Sequence, residues 1–353
     1  MQTTTTVERT EARLNPRSWK KVLDTCNAPK EELDFVSRWL LIVRACVFQM
    51  TLTSTFIGGM LAAADLRAAG LPFNWLPFLL CVVGLVLAHA VNNMVNDYFD
   101  TTGGVDTDDY VRAQYAPHPI LAGIISKRGL RNAILAANAV DVLIGVALLA
   151  YWGWAQGWPL LLFALSGLFI SVFYVAPPIR LKHHGLGELG VFIVWGPLMI
   201  GGTYFAVAGN IRPEVFLACI PYAIVVTTVL IGKHIDKYAA DKARGIHTLP
   251  VIFGESASKR LNQALMIAFY VIAAILIVAK IVGPWVALVV LAIPRLIQSL
   301  QQYSQPRPDK YPDGTPMGPL WYVGVAFYHN KRAGILFVLG LILNLVIPVQ
   351  LPF

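Results

Sequence analysis

About nine apolar runs dominate this chain, near 39–64, 72–95, 131–152, 158–176, 188–208, 214–233, 261–280, 284–300 and 334–350. A run of about 20 apolar residues crosses a bilayer as a helix, since a helix satisfies its own backbone hydrogen bonds in lipid. The runs predict an all-α polytopic membrane protein. Composition agrees, because only 14% of the 353 residues are charged, against about 25% in soluble domains. The runs near 39–64 and 72–95 are longer than a bilayer needs, which tilt or extension beyond the membrane absorbs. The first 35 residues are polar and have no apolar h-region or A-x-A site, so no signal peptide is expected.

Lys and Arg separate by side. With nine spans, all but three of the 28 basic residues fall on the side of the N-terminus and the loops at 96–130, 177–187, 234–260 and 301–333, the exceptions being Arg67, Arg212 and Lys280. The positive-inside rule places that side, and with it the polar pocket expected among the long loops, in the cytoplasm of a cell-membrane protein. The same asymmetry accounts for the net charge of +8, so no nucleic acid partner is expected, nor an obligate protein partner. Segment 1–37 reads as a cytoplasmic N-terminal segment, with a short basic interfacial helix over 12–25. Residues 38–300 read as the helical bundle (spans 1–8), 301–333 as a Pro-rich cytoplasmic linker with an interfacial anchor at 321–332, and 334–353 as the final helix. Cys26, Cys46, Cys81 and Cys219 form no C-x-x-C pair and read as small apolar side chains or incidental thiols.

Two acidic clusters follow the second and sixth runs, four spans apart, which hints at a duplicated helical unit. The first runs from Asn92 and Asn93 through Asn96, Asp97 and Asp100 to Asp106, Asp108 and Asp109. On a continuing helix Asn93, Asp97 and Asp100 share one face at i, i+4, i+7. Unpaired carboxylates at a membrane boundary call for a bound cation or a nearby base, and oxygen-only ligands suit Mg²⁺ bridging to substrate phosphates. The second cluster, from Lys233 and His234 through Asp236 and Lys237 to Asp241, Lys242 and Arg244, reads either as surface ion pairs or as the cationic half of a diphosphate site. Arg180, Lys182, His183 and His184 lie on the same side, and the paired histidines read as a solvated turn. Asp141 and His89 are read as bundle-facing polar residues without a catalytic role.

NDYFDTTGGVDT resembles the first aspartate-rich motif of the UbiA superfamily of membrane prenyltransferases, and most resembles the menaquinone-branch members, which attach a polyprenyl chain to dihydroxynaphthoate. DKARGIHTLPVIFG is similar to that family's second motif, and the stretch 184–205 to a segment typical of the branch; Tyr174 to Lys182, YVAPPIRLK, is closer to the chlorophyll-synthase branch. The likeness covers roughly residues 38–300. One departure stands out: Asp236-Lys237 replaces the family's Arg-Asp, so the second motif's aspartates are five apart and about 140° from each other on a regular helix. Either a bulge realigns them, or Lys237 contacts phosphate where a metal would otherwise intervene.

The resemblance implies Mg²⁺-dependent transfer of a polyprenyl group from an allylic isoprenoid diphosphate to an electron-rich aromatic acceptor. It implies Asn93, Asp97, Asp100, Asp241 and Asp236 at the metal, and Lys182, Lys233, Lys237, Arg112 and Arg44 at the diphosphate. Asp97, Asp100, Lys182 and Tyr174 are the catalytic candidates, and Tyr98 and Phe99 join Tyr174 as aromatic faces for the allylic carbon. Intramembrane charges also occur in transporters, but here they sit at one end of the helices, which favours a one-sided pocket.

Overall fold

The structure, a computed structural model, describes residues 14–310 and 314–349. Two short helices come first, α1 (Pro16–Thr25) and α2 (Phe35–Ile42). Among the described residues nine longer helices follow: α3 (Phe48–Ala68), α4 (Trp75–Thr102), α5 (Lys127–Trp152), α6 (Pro159–Phe173), α7 (Gly187–Ala208), α8 (Pro213–Asp236), α9 (Glu255–Val278), α10 (Pro284–Ser304) and α11 (Tyr322–Val346). Eight of the nine, counting the turn that leads into α3, are long and apolar enough to cross a membrane; α6 is apolar but shorter. At 1.5 Å per residue it is roughly 22 Å long, less than a full hydrocarbon core.

The helices are not equally buried. The apolar window of α8 is 78% buried, whereas that of α5 is 6% buried. Hence α8 forms the bundle axis, packed on α3, α7, α9, α10 and α11. Leu135, Val142, Leu143 and Val146 of α5 remain exposed, an apolar face suited to lipid. Close approach at the axis requires glycine: a Cβ on Gly58 of α3 would run into the carbonyl oxygen of Ile200. Ile200 belongs to the wide π-helical stretch Val194–Gly201 of α7, which contains Pro197. A proline lacks the N–H of a regular turn, and such widened turns often occur near functional sites.

The short basic helix expected over 12–25 is present as α1 within the described residues, with Arg17, Lys20 and Lys21 exposed and Ser18 and Val22 buried. Asp34 ties it to α2, accepting from the Asn15 and Ser37 amides and the Trp19 indole, each at 2.7 Å. Two expectations need correction. Cys26 and Cys46 are not incidental: the chain folds back so that their Cα atoms lie 5.3 Å apart, and they form a disulfide, while Cys81 and Cys219 are buried thiols. The final helix begins at Tyr322, not 334, so residues 322–332 are its first turns and not a separate anchor. Its polar residues had masked it in the sequence. His329 and Asn330 face inward and are buried, while Lys331 and Arg332 face outward.

Candidate functional site

The helix α4 runs unbroken from the apolar span through Asn93, Asp97 and Asp100 and stops at Gly103 and Gly104, the latter in the left-handed region (φ 71°). Asn93, Asp97 and Asp100 thus share a face, as expected. Asp97 is fully buried and held by two arginines. Arg44, in the turn before α3, contacts its Oδ1; Arg112, in the short helix Val111–Tyr115, donates from Nε and Nη2 to both oxygens at 3.2 Å. A buried carboxylate without such partners would be strongly unfavourable. Asp100 accepts from Lys182 Nζ at 2.7 and 3.0 Å. The Asn93 amide donates to the Val43 carbonyl at 2.9 Å.

The glycine turn folds the chain back. The amides of Val105 and Asp106 donate to the Asp100 carbonyl at 2.8 and 3.0 Å, which returns Asp106 to the site. Ligand atoms of Asp97, Asp106 and His118, all buried, lie within 4.8 Å of one another, a group able to hold a metal ion. Asp106 and His118 were not among the residues chosen from the sequence. Asp106 was visible in the cluster but off the helical face, and a lone histidine twelve residues on carries no periodic signal.

The hydrogen bonds of His118 define its role. Its Nδ1 accepts from the amides of Ile120 and Leu121 at 3.2 and 3.4 Å, so Nδ1 carries no proton. The ring proton is therefore on Nε2, 3.1 Å from Asp106 and 3.7 Å from Asp97. As placed, His118 donates to the acid pair and is not itself a ligand. Burial alone would raise the Asp106 carboxyl, but the His118 hydrogen bond and the nearby Lys237 outweigh it, and the group stays below the usual carboxylate range. Removing such an outer partner typically weakens metal binding about 10–100-fold. His118→Leu is expected to raise the half-saturating Mg²⁺ concentration by about that factor, with His118→Gln, which keeps a donor, recovering part of it; titration of Mn²⁺ by electron paramagnetic resonance reads this without turnover.

The second cluster folds against the first. Tyr110 donates to Asp241 Oδ1 at 2.5 Å, and Lys237 Nζ lies 3.7 Å from the same oxygen and 4.4 Å from the centre of the Tyr110 ring. Arg244 covers that ring at 4.3 Å and donates to Thr107 at 2.9 Å. Asp241 is buried, and its Oδ2 has no hydrogen-bond partner among the described residues. The His247 amide donates to the His183 carbonyl at 3.2 Å, tying the Lys182 turn to this cluster. No bulge realigns Asp236 with Asp241. Asp236 instead accepts from the amides of Trp321, Tyr322 and Val323 at 3.0, 3.0 and 2.9 Å. This corrects its expected place at the metal: the five-residue spacing turns the carboxylate away, onto the N-terminus of α11, where it satisfies otherwise unpaired amides. Lys237 is the member that turns toward Asp241 and Tyr110. Burial lowers its ammonium below the usual lysine range, with Asp241 opposing.

A cavity of about 1430 Å³ opens beside these groups. Arg44, Arg112, Asn93, Asn96, Lys233 and Tyr174 line its polar end, and Leu148, Leu160, Phe163, Leu198 and Met199 its apolar end. Lys233 makes no ion pair among the described residues. Of the three expected aromatic faces, Tyr174 lines the cavity; Tyr98 and Phe99 pack into the cluster under α1 and α2 instead. The two close carboxylates, Asp97 and Asp106, fit a hard divalent cation; the unpartnered Asp241 oxygen belongs to the neighbouring Tyr110–Lys237 group. Asp97, Asp100 and Asp241 are paired with Arg44 and Arg112, Lys182, and Lys237 respectively, so a cation held by these acids would have to compete with these basic groups.

The pattern of the UbiA prenyltransferase family matches residues 52–312. The chain belongs to that family. This enzyme is 24% identical over 299 residues to a 1,4-dihydroxy-2-naphthoate octaprenyltransferase of Bacillus subtilis, covering 83% of this chain and 90% of that one. It is 25% identical over 274 residues to a 2-carboxy-1,4-naphthoquinone phytyltransferase of Synechocystis, covering 76% and 82%. Its fold resembles the apo UbiA homolog of Aeropyrum pernix (TM-score 0.61, 18% identity, 84% of this chain and 96% of that one). It also resembles the UbiA homolog of Archaeoglobus fulgidus bound to GPP and Mg²⁺ (TM-score 0.53, 14% identity, 88% and 100%). The enzyme is a multi-pass membrane prenyltransferase.

Proposed function

We propose that this enzyme transfers a polyprenyl group from an allylic diphosphate to a dihydroxynaphthoate-type ring, on the cytoplasmic side of the membrane. One observation carries the reading: a single cavity joins a cationic, acid-backed end to an apolar end, which suits a molecule with a diphosphate head and a hydrocarbon tail. The names of the naphthoate-prenylating relatives and the GPP-bound homolog support the same substrates.

Asp97, Asp106 and Asp241 would hold Mg²⁺, with Asn93 and Asp100 beside them. Mg²⁺ bound there supplies charge neutralisation for the departing diphosphate. Arg44 and Arg112, freed from Asp97, and Lys182, Lys233 and Lys237 orient the phosphates and stabilise their growing charge. The allylic C–O bond breaks, and its electron pair leaves with the diphosphate. The Tyr174 ring lies at the cavity wall where its face stabilises the allylic cation. The acceptor ring then forms the C–C bond and regains aromaticity by losing the group on the attacked carbon, a proton or, at the carboxyl-bearing carbon, carbon dioxide. The apolar walls keep water, the competing nucleophile, from the cation.

Membranes containing the enzyme, supplied with Mg²⁺, a polyprenyl diphosphate and 1,4-dihydroxy-2-naphthoate, are expected to form the prenylated ring, with or without its carboxyl group, seen by mass spectrometry. Release of diphosphate without that product would reject the acceptor, and no Mg²⁺-dependent release from any donor would reject the reaction. Labelling of an N-terminal tag in sealed, right-side-out cells should fail until the membrane is opened, as positive-inside orientation requires.

A further inference from the structure

One acid in the cavity has no role in this chemistry. Asp141 lies near the middle of α5 and lines the cavity well away from the arginines. Gly84 of α4 faces it: a Cβ there would be 3.7 Å from Asp141 Oδ1. On α4 the step from Gly84 to Asp97 is thirteen residues, or roughly 20 Å of helix. The Asp141 Oδ1 is buried and without a hydrogen-bond partner, and Asp141 makes no ion pair among the described residues. Other acids of the outer half are engaged, Asp65 with Arg212 and Tyr204, and Glu214 with Arg212. Asp141 also divides the cavity wall. Asn92, Asn96 and Asn138 lie on the side of the diphosphate end; Cys81, Leu148 and Leu160 lie beyond it. An acid left unpaired in a helix whose apolar window is only 6% buried is costly to the fold.

We propose that Asp141 is a specificity-determining residue that limits the length of the prenyl chain the cavity accepts. The proposal rests on the reading that the diphosphate sits at the Asp97 end. An extended isoprene unit, four bonds of about 1.5 Å in zigzag, adds roughly 5 Å. A tail of about four units therefore reaches Asp141. Shorter tails leave its carboxyl hydrated through the cavity. A longer tail must lie over Asp141 and strip water from its second oxygen, Oδ2, which no protein group among the described residues replaces, and this is unfavourable. The penalty falls on long donors alone.

The test compares kcat/KM for all-trans donors from about three to about eight isoprene units in the wild type, Asp141→Leu and Asp141→Asn. Binding of each donor is measured in parallel by competition with a labelled short diphosphate. Asp141→Leu is expected to favour the long donors about tenfold, in rate and in binding, while leaving the short ones within about twofold. Asp141→Asn, which keeps a polar group without the charge, should retain the wild-type length profile. Equal change at every length, or no change at any, would overturn the proposal. Donor binding that follows length as stated but yields no transfer at any length would instead count against the proposed reaction.

Discussion

Replacing Asp97 with alanine is expected to abolish prenyl transfer and to loosen the protein in the same step. The carboxylate is fully buried between Arg44 and Arg112 and lies within metal-binding distance of Asp106. Removing it leaves two guanidinium groups facing each other, the Arg112 side chain only 6% exposed. Breaking a buried pair by deleting one partner costs about 3–5 kcal/mol, mostly from the charge left behind. Loss of a group that organises transition-state charge lowers turnover on the order of 10³-fold. Both are measurable on one preparation, by thermal unfolding in detergent and by product formation. Asp97→Ala with an undiminished Mg²⁺-dependent rate would remove this residue from the site.

Asp236→Ala should behave differently, although Asp236 belongs to the same motif. Its carboxylate caps α11 through three backbone amides, and charged hydrogen bonds of this kind contribute about 1.5–3 kcal/mol each when one is tested alone. The expected result is a loss of roughly 2–3 kcal/mol in stability with an unchanged half-saturating Mg²⁺ concentration. Asp241→Ala serves as the contrast. It removes the acceptor of Tyr110 and the unpartnered Oδ2, and it should raise the Mg²⁺ requirement. If Asp236→Ala raised that requirement as strongly, its carboxylate would belong to the metal after all.

The difference between these two aspartates shows where sequence reasoning stops. The five-residue spacing between Asp236 and Asp241 was readable and already indicated that the two could not share a helical face. What Asp236 faces instead was not readable, because its partners are amides 85 to 87 residues away. Asp106 and His118 were missed for a related reason. They reach Asp97 only after the Gly103-Gly104 turn reverses the chain, and loop reversals leave no periodic trace. The Cys26–Cys46 disulfide likewise depends on α1 folding back onto the start of α3.

Features that repeat along a helix or accumulate over a span were set by the sequence alone. These are the membrane helices, the shared face of Asn93, Asp97 and Asp100, the basic side of the protein and the family motifs. Each follows from local periodicity or summed transfer energy, which needs no knowledge of neighbours. Pairings between distant groups were decided only by the tertiary structure: which bases hold Asp97, which aspartate leaves the second motif, and which unpaired acid lines the cavity. The physical reason is that a buried charge is stabilised by whatever polar group packing brings within a few ångströms, and packing is a property of the whole bundle.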